Sequence, residues 1–323
     1  MKAKRISTLF SAVFLFLILL FCAQSAREGT AAGINTCVQI IIPSLFPFFT
    51  AVSLLMRLGL PEALGTLTAP LTARLFGVSG ECSAVFLLGL SGGYPLGAAA
   101  AADLFQSRKI SRDEAERLLA FCDNSGPAFI VGAAGVGIFG SAAIGFLLYL
   151  IHSIAAAFTG FLLSFPRRKN TTPAGRKKFH LRAVSLPEAL SESVRISVRS
   201  MAAVCGFVIF FSAFLAVLDE LGLFSAPAGA LAVRTGRELS FTRAFLTGFW
   251  ELGSGMGSMA GLAPSRENLA LAAGLLGWGG ISVHFQALGI LSGTGLSMKR
   301  HLFGKVLHAV FSAALAWVFF GLL

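Results

Sequence analysis

The stretch Leu118–Gly140, LLAFCDNSGPAFIVGAAGVGIFG, decides the fold. Its flanks are apolar enough to cross a bilayer; its middle, Asp123-Asn124-Ser125-Gly126-Pro127, is not. Pro127 removes a backbone donor and disfavours helix at Gly126, and Gly126 can adopt dihedrals closed to other residues. The expected object is a helix broken near mid-membrane, with polar side chains and freed backbone groups at the break. Irregular backbone at that depth survives only against protein or a water-filled cavity. Broken helices of this kind form substrate and ion sites in secondary transporters. A second copy lies in Leu269–Gly295, LALAAGLLGWGGISVHFQALGILSGTG, interrupted at Trp278-Gly279-Gly280.

Composition agrees. The chain has 323 residues, 55% hydrophobic and 13% charged, with a mean hydropathy of +0.79. A soluble domain carries about 25% charge, so this is a multi-pass protein of the cell membrane whose first partner is the lipid bilayer. The net charge of +11 does not signal nucleic acid. The basic residues cluster in loops, where the positive-inside rule places them. Cys22, Cys37, Cys82, Cys122 and Cys205 form no CxxC pair, so neither a disulfide framework nor a metal site is expected.

Along the chain, MKAKR precedes the apolar run Leu9–Ala23, read as an uncleaved first span. A signal peptide cleaved near Ala23-Gln24-Ser25 is the alternative. Gln39–Leu58 is the next span, which Pro43 and Pro47 should kink or leave partly non-helical. Pro61–Val78 reads as a short interfacial helix. Ser83–Leu104 is interrupted at Ser91-Gly92-Gly93-Tyr94-Pro95. Two arms of about 10 residues rise about 15 Å each, half of a hydrocarbon core of about 30 Å, so the segment suits a re-entrant hairpin. Ser111-Arg112-Asp113-Glu114 is a capping box opening the first broken helix. Ser141–Phe165 is a span. Residues 166–182 hold seven Lys/Arg and no acid, and should be cytoplasmic. Ser200–Leu218 spans, Asp219–Thr242 is a polar loop, and Phe245–Leu262 repeats the hairpin with its interruption at Glu251–Gly255. Ser265 is placed to cap the second broken helix. Lys299, Arg300 and Lys305 should be cytoplasmic, ahead of the last span, Leu302–Leu323.

The two halves thus share one order: span, interfacial turn, Gly-rich hairpin, capped broken helix, span. FLLGLSGG from Phe86 aligns with FLTGFWELG from Phe245, and His152 with His308. Each half makes three crossings, an odd number, so the halves run in opposite senses. The expected fold is an all-α polytopic membrane protein of about seven spans plus two re-entrant hairpins, in two inverted repeats. Its parts are an N-terminal span or signal anchor (1–38), the first repeat (39–165), a basic cytoplasmic loop (166–199) and the second repeat (200–323).

SLFPFF, SGGYPLGA, CDNSGPAFIVGAAGVGIFG, WELGSG and WGGISVHFQ, in that order, resemble the sporulation integral membrane proteins of the YlbJ family, over roughly residues 40 to 323. That family is similar to the wider nucleoside-recognition gate group and to concentrative nucleoside transporters. The resemblance implies a membrane role in spore formation, at the cortex stage, with a transporter-like core. One departure stands out. Where a Lys or other polar residue is expected after the SGYPxGA pattern, this chain has Ala98–Ala102.

The candidate chemistry gathers at the breaks. Asp123 and Glu251 are ionisable residues inside predicted membrane segments, where charge is costly and usually functional. They suit a coupling ion or a substrate hydroxyl or amine, or they act as caps. Asn124, Ser125, Ser254 and Ser282 offer neutral donors and acceptors, with Ser91 at the first tip. Tyr94, Trp250 and Trp278 could stack on a planar ligand or simply pack. Gly92, Gly93, Gly126, Gly279 and Gly280 leave room for exposed carbonyls. His284 and Gln286 follow the second break on different helix faces. His152 and His308 are read as packing between spans. The chain carries no P-loop, HExxH or GxSxG. It is therefore read as a non-enzyme without a cofactor, moving or sensing a small polar, nucleoside-like solute with Na⁺ or H⁺ as coupling ion. A non-transporting assembly factor is the alternative, and a homo-oligomer is left open.

Overall fold

A computed structural model describes residues 2–164 and 184–321, so the basic stretch 167–182 lies outside the described residues. The first helices are α1 (Lys2–Phe21), α2 (Ala23–Thr36), a π-helical stretch Cys37–Ile41 and α3 (Ile42–Arg57). Where the sequence suggested a span ending near Ala23 and another starting at Gln39, the chain stays helical from Ala23 to Arg57. Pro43 cannot donate to the turn before it, and the π turn absorbs this by widening, with Ile42 N bonding Cys37 O.

Then follow α4 (Leu60–Phe76), α5 (Gly80–Gly92), α6 (Leu96–Gln106), α7 (Arg112–Cys122), a π-helix Ala128–Ile138 and α8 (Ala142–Ser164). The second half repeats the order with α9 (Leu186–Glu220), α10 (Ser225–Thr235), α11 (Leu239–Trp250), α12 (Leu252–Gly257), α13 (Arg266–Trp278), α14 (Gly280–Leu291) and α15 (Lys299–Phe319). No strand occurs among the described residues. The segment 219–242, expected as a loop, contains α10. SAPAGALAVRT is a helix closed by Gly236 at φ 66°, a left-handed cap that glycine adopts without strain.

Both predicted caps form. Ser111 Oγ accepts from Glu114 N at 3.2 Å, and Ser265 Oγ from Asn268 N at 3.3 Å. The reciprocal arm of the capping box does not form. The Glu114 carboxylate instead accepts from Ser79 N at 2.5 Å, tying α7 to the start of α5.

Among the described residues, five helices are long and apolar enough to cross a membrane: Ala23–Arg57, Ala142–Ser164, Leu186–Glu220, Arg266–Leu291 and Lys299–Phe319. Ile6–Phe21, Cys82–Gly92 and Ala128–Ile138 are shorter apolar helices. On α8, Phe146, Leu150, Phe158 and Leu162 point outward, while Leu148, Ile151, His152, Ala155 and Thr159 are buried. An apolar outer face around a polar-containing interior is the reverse of a soluble helix and fits lipid. The chain is a multi-pass membrane protein.

Small residues bring the backbones together. A Cβ on Gly304 of α15 would stand 2.1 Å from Ala120 O of α7, and one on Gly277 of α13 would stand 2.8 Å from Ala309 Cα of α15. On α8, Gly160 faces the Phe121 ring. The end of α7 is therefore clamped between α8 and α15, and Leu118–Cys122 are fully buried. Gly304→Val should lower the thermal midpoint in detergent, at a cost of about 1–3 kcal/mol from overpacking. Gly206→Ala, with open space around its Cβ, should leave the midpoint unchanged or slightly raised. Fluorescence-detected gel filtration after a heat step measures both.

Candidate functional site

Each half places a hairpin tip against its own helix break. In the first half the tip Gly93–Pro95 joins α5 to α6, with Gly93 at φ 79° and a cis Tyr94–Pro95 bond. The break is Asp123–Gly126, between α7 and the π-helix. A Cβ on Gly126 would lie 3.0 Å from Gly93 N, so the tip and the break touch backbone to backbone. In the second half α13 stops at Trp278, and Gly279 and Gly280 both take positive φ, 86° and 85°. A Cβ on Gly280 would lie 2.9 Å from Leu252 N at the tip between α11 and α12. Side chains cannot be accommodated at these crossings, and consecutive left-handed dihedrals favour glycine.

The tips also cross-link the halves. Tyr94 Oη, from the first tip, donates to Leu276 O of α13 at 3.2 Å. Lys305 of α15 is fully buried. Its ammonium donates to the main-chain oxygen of Asp123 at the first break and sits 4.9 Å from the Tyr94 ring centroid. It also attracts the Asp123 carboxylate, whose Oδ1 accepts from Ala98 N at 3.2 Å. Ser125 N donates to His152 Nε2 at 3.1 Å, and Asn124 Nδ2 to Phe121 O at 2.8 Å.

A cavity of about 60 Å³ opens where the elements meet. That is room for several ordered waters, each needing roughly 10–15 Å³. Its polar lining is Ser125, Glu251, Ser282 and Gln286, beside Gly92, Gly93, Gly126 and Gly253. The rest of the lining is apolar and includes Ile41, Leu45, Phe49, Phe129, Val204 and Val208. Glu251 is 2% exposed, and its two carboxylate oxygens accept from Gly253 N at 2.9 Å and Ser254 N at 2.5 Å. It is both the N-cap of α12 and a wall of the cavity.

Of the sequence-derived candidates, Gly92, Gly93, Tyr94, Ser125, Gly126, Glu251, Ser282 and Gln286 line this cavity. The others lie beside it or away from it. Asp123 and Asn124, in the first break, are buried and do not line the cavity. Gly279 packs under Tyr94, and Gly280 under the second tip. Ser254 shares its hydroxyl with Ser212 at 3.2 Å, and the exposed Ser91 bonds back to Leu87 O at 2.6 Å. Trp278 stacks on Phe249 and donates Nε1 to Phe249 O at 2.8 Å, fastening α13 to α11. Trp250 packs edge-on against Phe214. His284 turns away from Gln286 towards His301, with Nδ1 and Nε2 3.2 Å apart. His152 and His308 pack ring against ring, 4.3 Å between centroids.

Lys305, which the sequence groups with Lys299 and Arg300 as a cytoplasmic cation, is instead buried in the protein interior. Helix α15 begins at Lys299, so residue 305 lies in its second turn, facing α7. The missed signal is the spacing His301, Lys305, His308, Ser312, which puts four polar residues on one face of an otherwise apolar helix. The cation at the first break thus comes from α15, whereas Ala98, Ala101 and Ala102 of α6 are buried and apolar.

No family model matches the sequence. A curated relative does: the sporulation integral membrane protein YlbJ of Bacillus subtilis (strain 168) is 32% identical, over 97% of this chain and 83% of that protein. The chain belongs to the YlbJ family. Among solved structures it is similar to CNTnw in two states. A doubly substituted form facing outward has a TM-score of 0.53 and 12% identity over 99% of this chain and 85% of that one. A singly substituted form in its intermediate 3 state gives 0.53 and 15% over 100% and 85%. This family member therefore has the CNT transporter fold, as the resemblance implied.

Lys305 and Asp123 should prove energetically coupled. In a double-mutant cycle with Lys305→Met and Asp123→Asn, thermal unfolding in detergent should return a coupling of roughly 0.5–3 kcal/mol, the range for residues in one buried network. Additive effects would mean the two do not interact.

Proposed function

We propose that this YlbJ-family protein is a carrier that moves a small polar solute across a membrane during spore formation, with the cavity between the two tips and two breaks as its binding site. The observation that carries this reading is that both tips and the first break line one cavity, with a few polar groups set in a mainly apolar lining, while the second break packs directly beneath the second tip. A rigid scaffold has no need of unwound backbone at such depth, whereas a carrier uses it to bind cargo and to hinge. The spore-formation context comes from the relative's name, and the transport chemistry from the likeness to CNTnw.

The walls indicate the class of cargo. Ser125, Ser282, Gln286 and the Glu251 carboxylate offer donors and acceptors, and Phe49, Phe129 and the aliphatic residues supply apolar contact. A solute with a hydroxyl- or amide-bearing edge and an apolar face, such as a nucleoside, satisfies both. Alternating access follows if the halves run in opposite senses, since the two tips then close the cavity from opposite sides.

Purified protein should be screened against nucleosides by thermal shift, and the best binder titrated calorimetrically. Gln286→Ala should weaken that binder by about 5- to 100-fold, as expected for losing a buried hydrogen-bond partner worth about 1–3 kcal/mol. Unchanged affinity would remove the cavity from the binding site.

A further inference from the structure

The four histidines of α8, α14 and α15 lie outside the cavity, yet all are buried. Their hydrogen bonds fix where each proton sits. His301 Nδ1 lies 3.1 Å from Leu119 O, and a carbonyl only accepts, so Nδ1 carries the proton and Nε2 is a lone pair. His284 Nδ1, 3.2 Å from that lone pair, must therefore donate, which leaves His284 Nε2 a lone pair. By the same logic His308 Nε2 donates to His152 O at 2.9 Å, leaving His308 Nδ1 a lone pair. His152 Nε2 accepts from Ser125 N, so its Nδ1 carries the proton. Among the described residues, three buried imidazole nitrogens have no hydrogen-bond partner: the protonated His152 Nδ1 and the lone pairs His284 Nε2 and His308 Nδ1. Burying unpaired imidazole nitrogens is costly, and packing alone would be better served by apolar side chains.

We propose that the proton is the coupling ion of this carrier, and that it binds at the lone pairs His284 Nε2 and His308 Nδ1, on either side of Lys305. This rests on the carrier reading above. A proton from water joins the His284 Nε2 lone pair to give an imidazolium. Its Nδ1 proton then passes along the existing hydrogen bond to His301 Nε2. On the other side His308 accepts a proton at Nδ1 and keeps Nε2–H on His152 O. Lys305 lies between His301 and His308 on one face of α15. His152 of α8 packs against His308, and Asp123 of the first break, Cys122 of α7 and Tyr94 of the first tip surround Lys305. The Arg300–Asp113 ion pair closes the start of α15, and Arg266 of α13 bonds Trp317 O near its far end. Asp123 is the buried carboxylate beside Lys305 and offsets its charge locally.

The test is solid-supported membrane electrophysiology on proteoliposomes, with no solute present. A pH jump should produce a charge-displacement transient that protein-free liposomes lack, and a Na⁺ jump at fixed pH should not. The transient should be lost in the double variant His284→Gln/His308→Gln and kept in Val310→Ala, on the outward face of α15. A wild type silent to pH, a transient unchanged in the double variant, or a response to Na⁺ alone would each overturn the proposal. A measurement without variants guards against misfolding: ¹⁵N spectra of histidine-labelled protein should show His308 Nδ1 unprotonated at alkaline pH and protonated on acidification. Protonated Nδ1 throughout would also overturn it. Solute binding measured in parallel separates the two readings, because a protein that binds solute yet gives no pH transient keeps the cavity and loses the proton.

Discussion

A helix interrupted inside a bilayer frees backbone groups that lipid cannot satisfy, and this constraint organises the whole molecule. At the first break Lys305 takes the carbonyl of Asp123, His301 that of Leu119 and Asn124 that of Phe121, while His152 accepts the amide of Ser125. At the second, Tyr94 takes the carbonyl of Leu276. At the second tip Glu251 holds the amides of Gly253 and Ser254. Three of these partners reach across from the other half of the chain. The breaks are thus stitched together by the same bonds that satisfy them, so neither half could hold its irregular backbone alone.

Glycine supplies the other half of the solution. Tip and break approach each other with no room for a side chain at Gly93, Gly126 and Gly280, and α15 meets α7 at Gly304 under the same restriction. Close approach lets short side chains reach the freed carbonyls. It also leaves the cavity walled partly by backbone, so cargo would meet amides and carbonyls as well as Gln286 and Ser282.

Much of this was legible in the sequence because it depends on local chemistry. Pro127, Gly279-Gly280 and the Gly93-Tyr94-Pro95 run disfavour continuous helix, and Ser111 and Ser265 announce helix starts, so breaks, tips and caps could be placed from residue type. What stayed hidden depends on rotation about a helix axis or on continuity between elements. Lys305 follows a basic pair and reads as loop until α15 is known to begin at Lys299. Ala23–Thr36 lacks the apolar density of a span and is helical because Gly29 and Gly33 dock it on α9. Trp278 and Ser254 sit at the right positions in sequence, yet α11 and α9 claim their polar atoms before the cavity can.

The most direct test is a cryo-electron microscopy map of the protein in lipid nanodiscs at side-chain resolution. The expected result is helical density interrupted at Asp123–Gly126 and at Gly279, both near the middle of the disc, with the Lys305 side chain reaching the Asp123 carbonyl. Unbroken helix through either segment, or Lys305 extended towards the headgroups, would contradict it.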